Sequence, residues 1–150
     1  MKRRTFVGTA GLAMGAALIL PRGGEGAELT ASETANVRLV NDFVASVSTR
    51  DMAKVLSFLS PDAAYRMTET TPPAVGPDAI RARLGGAVEG ATSVTWEILE
   101  TFAKGPMVMN HRIDRFVSPT RPFTWEGVGI FFIKNDKIAE WSDYTIRLTR

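Results

Sequence analysis

"PMVMNHRIDRFV" (Pro106 to Val117) decides how the second half of this chain is read. Taken with the period of two that a strand imposes, one face carries Val108, Asn110, Arg112, Asp114 and Phe116, and the other carries Met109, His111 and Ile113. Arg112 and Asp114 are therefore neighbours on a face closed by apolar residues at both ends. Three further stretches have the same texture: "TSVTWEILETFA" (Thr92 to Ala103), "FTWEGVGIFFI" (Phe123 to Ile133) and "KIAEWSDYTIRL" (Lys137 to Leu148). All are long and rich in β-branched and aromatic residues, and "KGP" and "KND" between them are natural hairpin turns. The second half is a meander of antiparallel strands.

The first half is helical. Val37, Val40, Val44 and Val47 recur at helical spacing with Phe43 alongside, and Ser32 is the expected cap. Asp51 caps a second helix presenting Met52, Val55, Leu56 and Leu59, which "SPD" (Ser60 to Asp62) closes. "AAYRM" reads as a short strand and "TETTPPAVGPD" as a loop punctuated by prolines. A third helix opens near Pro77 and Asp78 and turns Ile80, Leu84, Ala87 and Val88 inward. Helices followed by long antiparallel strands make an α+β domain. A curved sheet wrapped around those helices forms a cone whose open end is a natural small-molecule pocket.

At 150 residues, 45% of them hydrophobic, the chain makes one domain with a real core. Residues 1–27 differ in kind, with a basic start followed by an apolar run from Gly8 to Leu20, too short to span a bilayer comfortably. That pattern predicts a cleaved export signal, and "RRTFV" resembles the twin-arginine type. Residues 28–35 are then a flexible lead-in and 36–150 the domain, with no stable membrane span in the mature form. Without residues 1–27 the eighteen bases and sixteen acids fall to fourteen and fifteen. No basic cluster for nucleic acid survives. The absence of cysteine excludes disulfides, thiolate nucleophiles and Cys-ligated metals. A single histidine, His111, argues against a histidine zinc site or a Ser-His-Asp triad, and it lies on the strand face opposite Arg112. No metal or cofactor is expected.

The last strand repeats the oddity of Arg112 and Asp114, because Asp143 shares a face with Ala139 and Trp141. Its strand lies two along from theirs, and the curvature of a cone brings such side chains together. Two carboxylates in an apolar site cannot both ionise cheaply, since like charges at ~4 Å repel by roughly 4 kcal/mol at an effective dielectric of 20. The cheapest state has one aspartate ionised, one protonated and a guanidinium between them. That supplies a general base and a general acid at one pH. Epoxide hydrolysis uses such a pair, and so does a dehydration or an isomerisation. An exposed cross-strand ion pair is the commoner use of arginine and aspartate in strands.

"HRIDRF" and "KIAEWSDY", with "ETF" (Glu100 to Phe102) and "YRMTETTPPAVGPDAI", resemble the limonene-1,2-epoxide hydrolase family, whose cone-shaped fold is shared with nuclear transport factor 2. The resemblance runs from Asn36 to Arg150. It implies a curved mixed sheet around three N-terminal helices and a cofactor-free hydrolase of small apolar, cyclic epoxides. Asp143 would be the base, Asp114 the acid, Arg112 the bridge, and Tyr65 a holder of the attacking water. Trp96, Leu99, Phe116 and Trp125 would line the pocket. Met67 stands with them, where the family has an asparagine whose amide contacts the water; a thioether offers no strong donor or acceptor. Thr68 or Glu69 could supply that contact instead. A homodimer through the outer sheet face is implied as well. A dehydratase, isomerase or cyclase on the same cone, or a non-catalytic binding module, are the alternatives.

Overall fold

The computed structural model describes residues 28–150; the expected export signal lies outside them. Helix α1 (Ala31–Val47) begins two residues before the start that a Ser32 cap implies, so residues 31–35 are helical and not a flexible lead-in. Thr30, not Ser32, is the cap. Its hydroxyl accepts from the Glu33 amide, while the Glu33 carboxylate accepts from the Thr30 amide at 2.8 Å, a reciprocal capping box. The other oxygen of Glu33 accepts from the Gly105 amide at 2.8 Å, tying the helix start to the turn at Gly105. Asp51 caps α2 (Met52–Leu56) as expected, but that helix is a little over one turn long. "SPD" does not end it. Strand β1 (Leu59–Arg66) starts before those residues and absorbs them. The proline-rich loop holds a two-residue strand, β2 (Ala74–Val75), that hydrogen-bonds back to β1.

Helix α3 (Pro77–Glu89) starts on proline after Gly76, which adopts a φ of 84°. It buries Ile80, Leu84 and Val88; Ala87, on the same face as Ile80 and Leu84, stays exposed because it lines the open cleft. The meander follows: β3 (Ser93–Lys104), β4 (Met107–Val117), β5 (Phe123–Lys134) and β6 (Lys137–Thr149). Asn135 and Asp136 carry the β5–β6 turn with φ of 51° and 56°, the left-handed pair a tight hairpin requires.

The sheet order is β2-β1-β6-β5-β4-β3. Every pair is antiparallel except β1 with β6, so the sheet is mixed. Helix α1 packs on β3 and β4, and α3 on β1 and β2. Phe43 occupies the centre of the core. Its ring meets Phe58, Trp96, Phe131 and Trp141 edge to face at centroid distances of 5.1–6.2 Å. Truncating a side chain so enclosed costs about 3–5 kcal/mol. The helices seal one end of the concave face and leave the other open. No helix among the described residues is long and apolar enough to cross a membrane.

Candidate active site

Register explains how three charged side chains meet. Asn110 lies level with Gly129 and Asp143, Arg112 with Gly127 and Thr145, and Asp114 with Trp125 and Leu148. Asp143 and Asp114 are thus one step to either side of Arg112, and the guanidinium reaches both. Its Nε donates to Asp114 at 3.0 and 3.1 Å, and its Nη2 donates to Asp143 Oδ1 at 2.8 Å. Nη1 donates to Asn110 Oδ1 at 3.2 Å. All four side chains are buried. The inward charges of β4 form an internal array and not the common exposed ion pair.

Neighbouring strands make room for it. A Cβ at Gly129 would overlap Arg112 Nη1, and one at Gly127 would overlap the indole of Trp125. Both glycines of "EGVGI" are therefore packing positions. The guanidinium lies between the rings of Trp96 and Trp125, 4.7 Å from each centroid. Its charge is opposed by burial, but the carboxylates of Asp143 and Asp114 outweigh that and hold its pKa above the usual arginine range.

The two aspartates are not equivalent. Asp143 accepts three donors: Arg112 Nη2 and Trp141 Nε1 (2.8 Å) on Oδ1, and the Tyr65 hydroxyl (3.2 Å) on Oδ2. Asp114 has only Arg112 Nε. Burial pushes both carboxyls up. For Asp114, the Arg112 charge opposes that push only in part and Asp143 adds to it, leaving a pKa of about 7. For Asp143, Arg112, Trp141 and Tyr65 all favour the anion. Asp114 is therefore the carboxyl that binds a proton more readily, and Asp143 the one whose anion its neighbours favour. Burial, then the nearby Asp143 charge, raises the Tyr65 phenol well above its usual value, so it stays a donor. Its ring stacks on Trp141 at 3.7 Å, which fixes the hydroxyl.

Both carboxyls open onto a pocket of about 570 Å³ at the unsealed end of the concave face. Tyr65, Met67, Trp96, Phe116 and Trp125 line it, as the sequence led us to expect; Arg112 lies behind the carboxylates. Leu99 does not line it. A bulge between Ile98 and Glu100 interrupts the β3–β4 register at that residue, and Leu99 turns to the outer face, 44% exposed. Glu69 does not line the pocket, and one of its carboxylate oxygens accepts from the Thr145 amide at 2.7 Å; Thr68 lines the pocket, with its hydroxyl bonded to that of Thr71. His111 is half-buried on the outer face beside Glu126 (3.2 Å). Sequence reading missed Leu84, Phe123, Thr145 and Leu148 as lining residues, and Arg121 and Arg150 near the opening. Asn110 was also missed as a partner of Arg112, although its place two residues earlier on the same face was the available signal.

The model of the SnoaL-like domain family matches residues 40–141. The chain belongs to the SnoaL-like family. Solved structures agree on the fold. An epoxide hydrolase of the limonene-epoxide-hydrolase-like type from M. tuberculosis superposes with a TM-score of 0.63 at 21% identity, over 75% of this chain and 84% of that one. A putative SnoaL-like polyketide cyclase from Jannaschia sp. CCS1 gives 0.70 at 14% identity, over 81% and 92%. AusH from Aspergillus nidulans gives 0.68 at 20%, over 78% and 87%. This SnoaL-like chain therefore has the nuclear transport factor 2-like fold, the cone anticipated from its sequence. Relatives of one architecture carry names from several chemistries, so the reaction must be argued from the site.

Proposed function

We propose that this SnoaL-like protein is a cofactor-independent epoxide hydrolase acting on a small, largely apolar epoxide. The observation that carries the reading is the unequal pair of carboxyls on one buried guanidinium, facing an aromatic-lined pocket. Asp143 Oδ2, held by Tyr65, takes a proton from water as that water's oxygen bonds to a ring carbon. The carbon–oxygen bond breaks, and the departing oxygen takes the proton of Asp114. The diol leaves with Asp143 protonated and Asp114 ionised, and one proton returning through solvent resets the site. Arg112 stabilises whichever carboxylate carries charge and never has to move. General acid and general base contribute about 10²–10⁴-fold each in such a step.

Turnover of a small epoxide panel in oxygen-18 water tests this. Labelled diol from the wild type, with at least a hundredfold less from Asp143→Asn, is the expected result. Unlabelled product, or equal turnover by the variant, refutes it. Met67 motivates the second reading. The pocket wall beside Tyr65 offers a thioether where a water-holding amide was expected. A dehydratase, isomerase or cyclase would use the same acid and base without needing that water, and it would incorporate no solvent oxygen from a water addition. We also propose export, from the basic–apolar start of the sequence, and a homodimer through the outer sheet face, where Phe102, Phe132 and Tyr144 are 55%, 41% and 43% exposed.

A further inference from the structure

The pocket carries its two guanidiniums Arg121 and Arg150 at the opening, away from the buried array. Thr124 pairs with Thr149 and Trp125 with Leu148, so Arg150, two residues beyond Leu148, returns to the face of Leu148. Arg121 precedes Phe123 by two residues at the same end of β5. Phe116 is level with Phe123 and stacks on it at 4.3 Å. The sheet thus presents a graded path: Asp143, then Arg112, then Asp114, then the Phe116–Phe123 pair, then the rim arginines. From the level of Asp114 to that of Phe123 is two strand residues, about 7 Å.

Charge along this path is unbalanced. Among the described residues Asp114 and Asp143 are the only acids lining the pocket, and Arg112 already answers them. On the outer surfaces, Arg81 pairs with Glu89, Arg115 with Glu97 and Arg147 with Glu126. Among the described residues Arg121 and Arg150 make no ion pair, and Glu69, bonded to the Thr145 amide, does not line the pocket. Two exposed guanidiniums lining a cleft whose other walls are mostly apolar attract and orient an anion.

We infer that the substrate is an apolar ring or chain bearing one carboxylate, bound with that carboxylate at Arg121 and Arg150 and its reacting carbon at Asp143. The reacting end of this assignment rests on the acid–base reading above; the rim end stands on the arginines alone. A carboxylate at one end fixes which way round an apolar molecule enters, something aromatic walls cannot do by themselves. It also fixes which carbon meets the base.

Equilibrium binding of unreactive probes reads the rim without any turnover. Quenching of tryptophan fluorescence, with Trp96 and Trp125 in the pocket wall, follows titration of 3-cyclohexylpropanoate and of its uncharged amide. The acid is expected to bind about five- to tenfold tighter than the amide at low salt, an advantage that shrinks as salt is raised. In the Arg121→Gln, Arg150→Gln double variant the advantage disappears while the amide still binds, which also shows that the pocket remains folded. Equal binding of acid and amide, a preference that survives the double substitution, or binding of neither probe overturns the assignment. Loss of hydrolysis in the oxygen-18 assay with the acid preference intact would instead overturn the reaction and leave the carboxylate site standing.

Discussion

Replacing Gly129 by alanine adds one methyl group at the most crowded point of the array. The new Cβ would overlap Arg112 Nη1, lie 2.9 Å from Phe131 Cε2 and 3.1 Å from Asn110 Oδ1. A guanidinium at a surface would swing aside at little cost. Arg112 cannot, because Trp96 and Trp125 cover its two faces and its Nε and Nη2 are held by opposite carboxylates. Overpacking a well-filled site costs about 1–3 kcal/mol. Displacing Nη1 also strands the Asn110 carbonyl, for about 1–3 kcal/mol more. Taking the middle of both ranges gives about 4 kcal/mol, which lowers the melting temperature by more than about 10 °C for a domain of this size. Gly86→Ala is the control. It sits on α3 with nothing within 4 Å of the added carbon, so it should stabilise by about 0.4–1 kcal/mol. Thermal unfolding of both variants by circular dichroism, with diol formation measured alongside, checks this. A Gly129→Ala protein that melts with the wild type and keeps its activity would show that Arg112 is not pinned, and the account of the array would fail.

Asp114→Asn should change the pH dependence of stability. A carboxyl raised from 3.8 to about 7 binds its proton more tightly in the folded state, so its contribution is full below pH 4 and is lost as the pH climbs through 7. The wild type should lose up to roughly 4 kcal/mol over that window from this group, and the variant little; urea midpoints at intervals between pH 4 and 8 measure both. In the proposed reaction the same proton is consumed at each turnover, so the rate of the wild type should fall above pH 7, and a rate still rising at pH 9 would rule out Asp114 as the acid. Met67→Asn should speed diol formation by about tenfold if a second water contact is what the pocket lacks; an unchanged rate in a hydrolytic wild type removes that explanation. Phe132→Lys should convert a dimer to a monomer in sedimentation velocity, and a wild type that is itself monomeric refutes the proposed interface.

Period-two alternation made the four long strands legible, and with them the inward placement of Arg112, Asp114 and Asp143. It worked because each strand has one buried face, so register is strongly specified by which residues are apolar. Leu99 escaped because a bulge resets the alternation and leaves no mark in composition. The extent of β1 was hidden by Pro61, which reads as a stop signal although its missing amide sits next to an irregularity in the β1–β6 pairing. The resemblance assigned base and acid to Asp143 and Asp114, but the physical asymmetry between them comes from Trp141 and Tyr65 donating to Asp143 alone. Those donors sit on β6 and β1, and only the tertiary arrangement reveals which carboxyl they choose. The rim arginines carried no signal, since isolated arginines near strand ends look like ordinary surface charge.

The parallel pairing of β1 with β6 carries a consequence for assembly. The meander from β3 to β6 closes through short turns, and its neighbours are near in sequence. The Tyr65–Asp143 hydrogen bond instead spans 78 residues and forms only when an early strand docks against the last one. Contacts of such long separation bear the largest loop-closure entropy and come late in folding. Until that docking, Asp143 lacks the Tyr65 phenol, Trp141 has the Phe131 ring but not that of Tyr65, and the concave face has no wall on that side. The finished carboxyl array is thus an index of completed topology: a chain can hold most of its hydrogen-bonded sheet and still leave Asp143 without its Tyr65 donor.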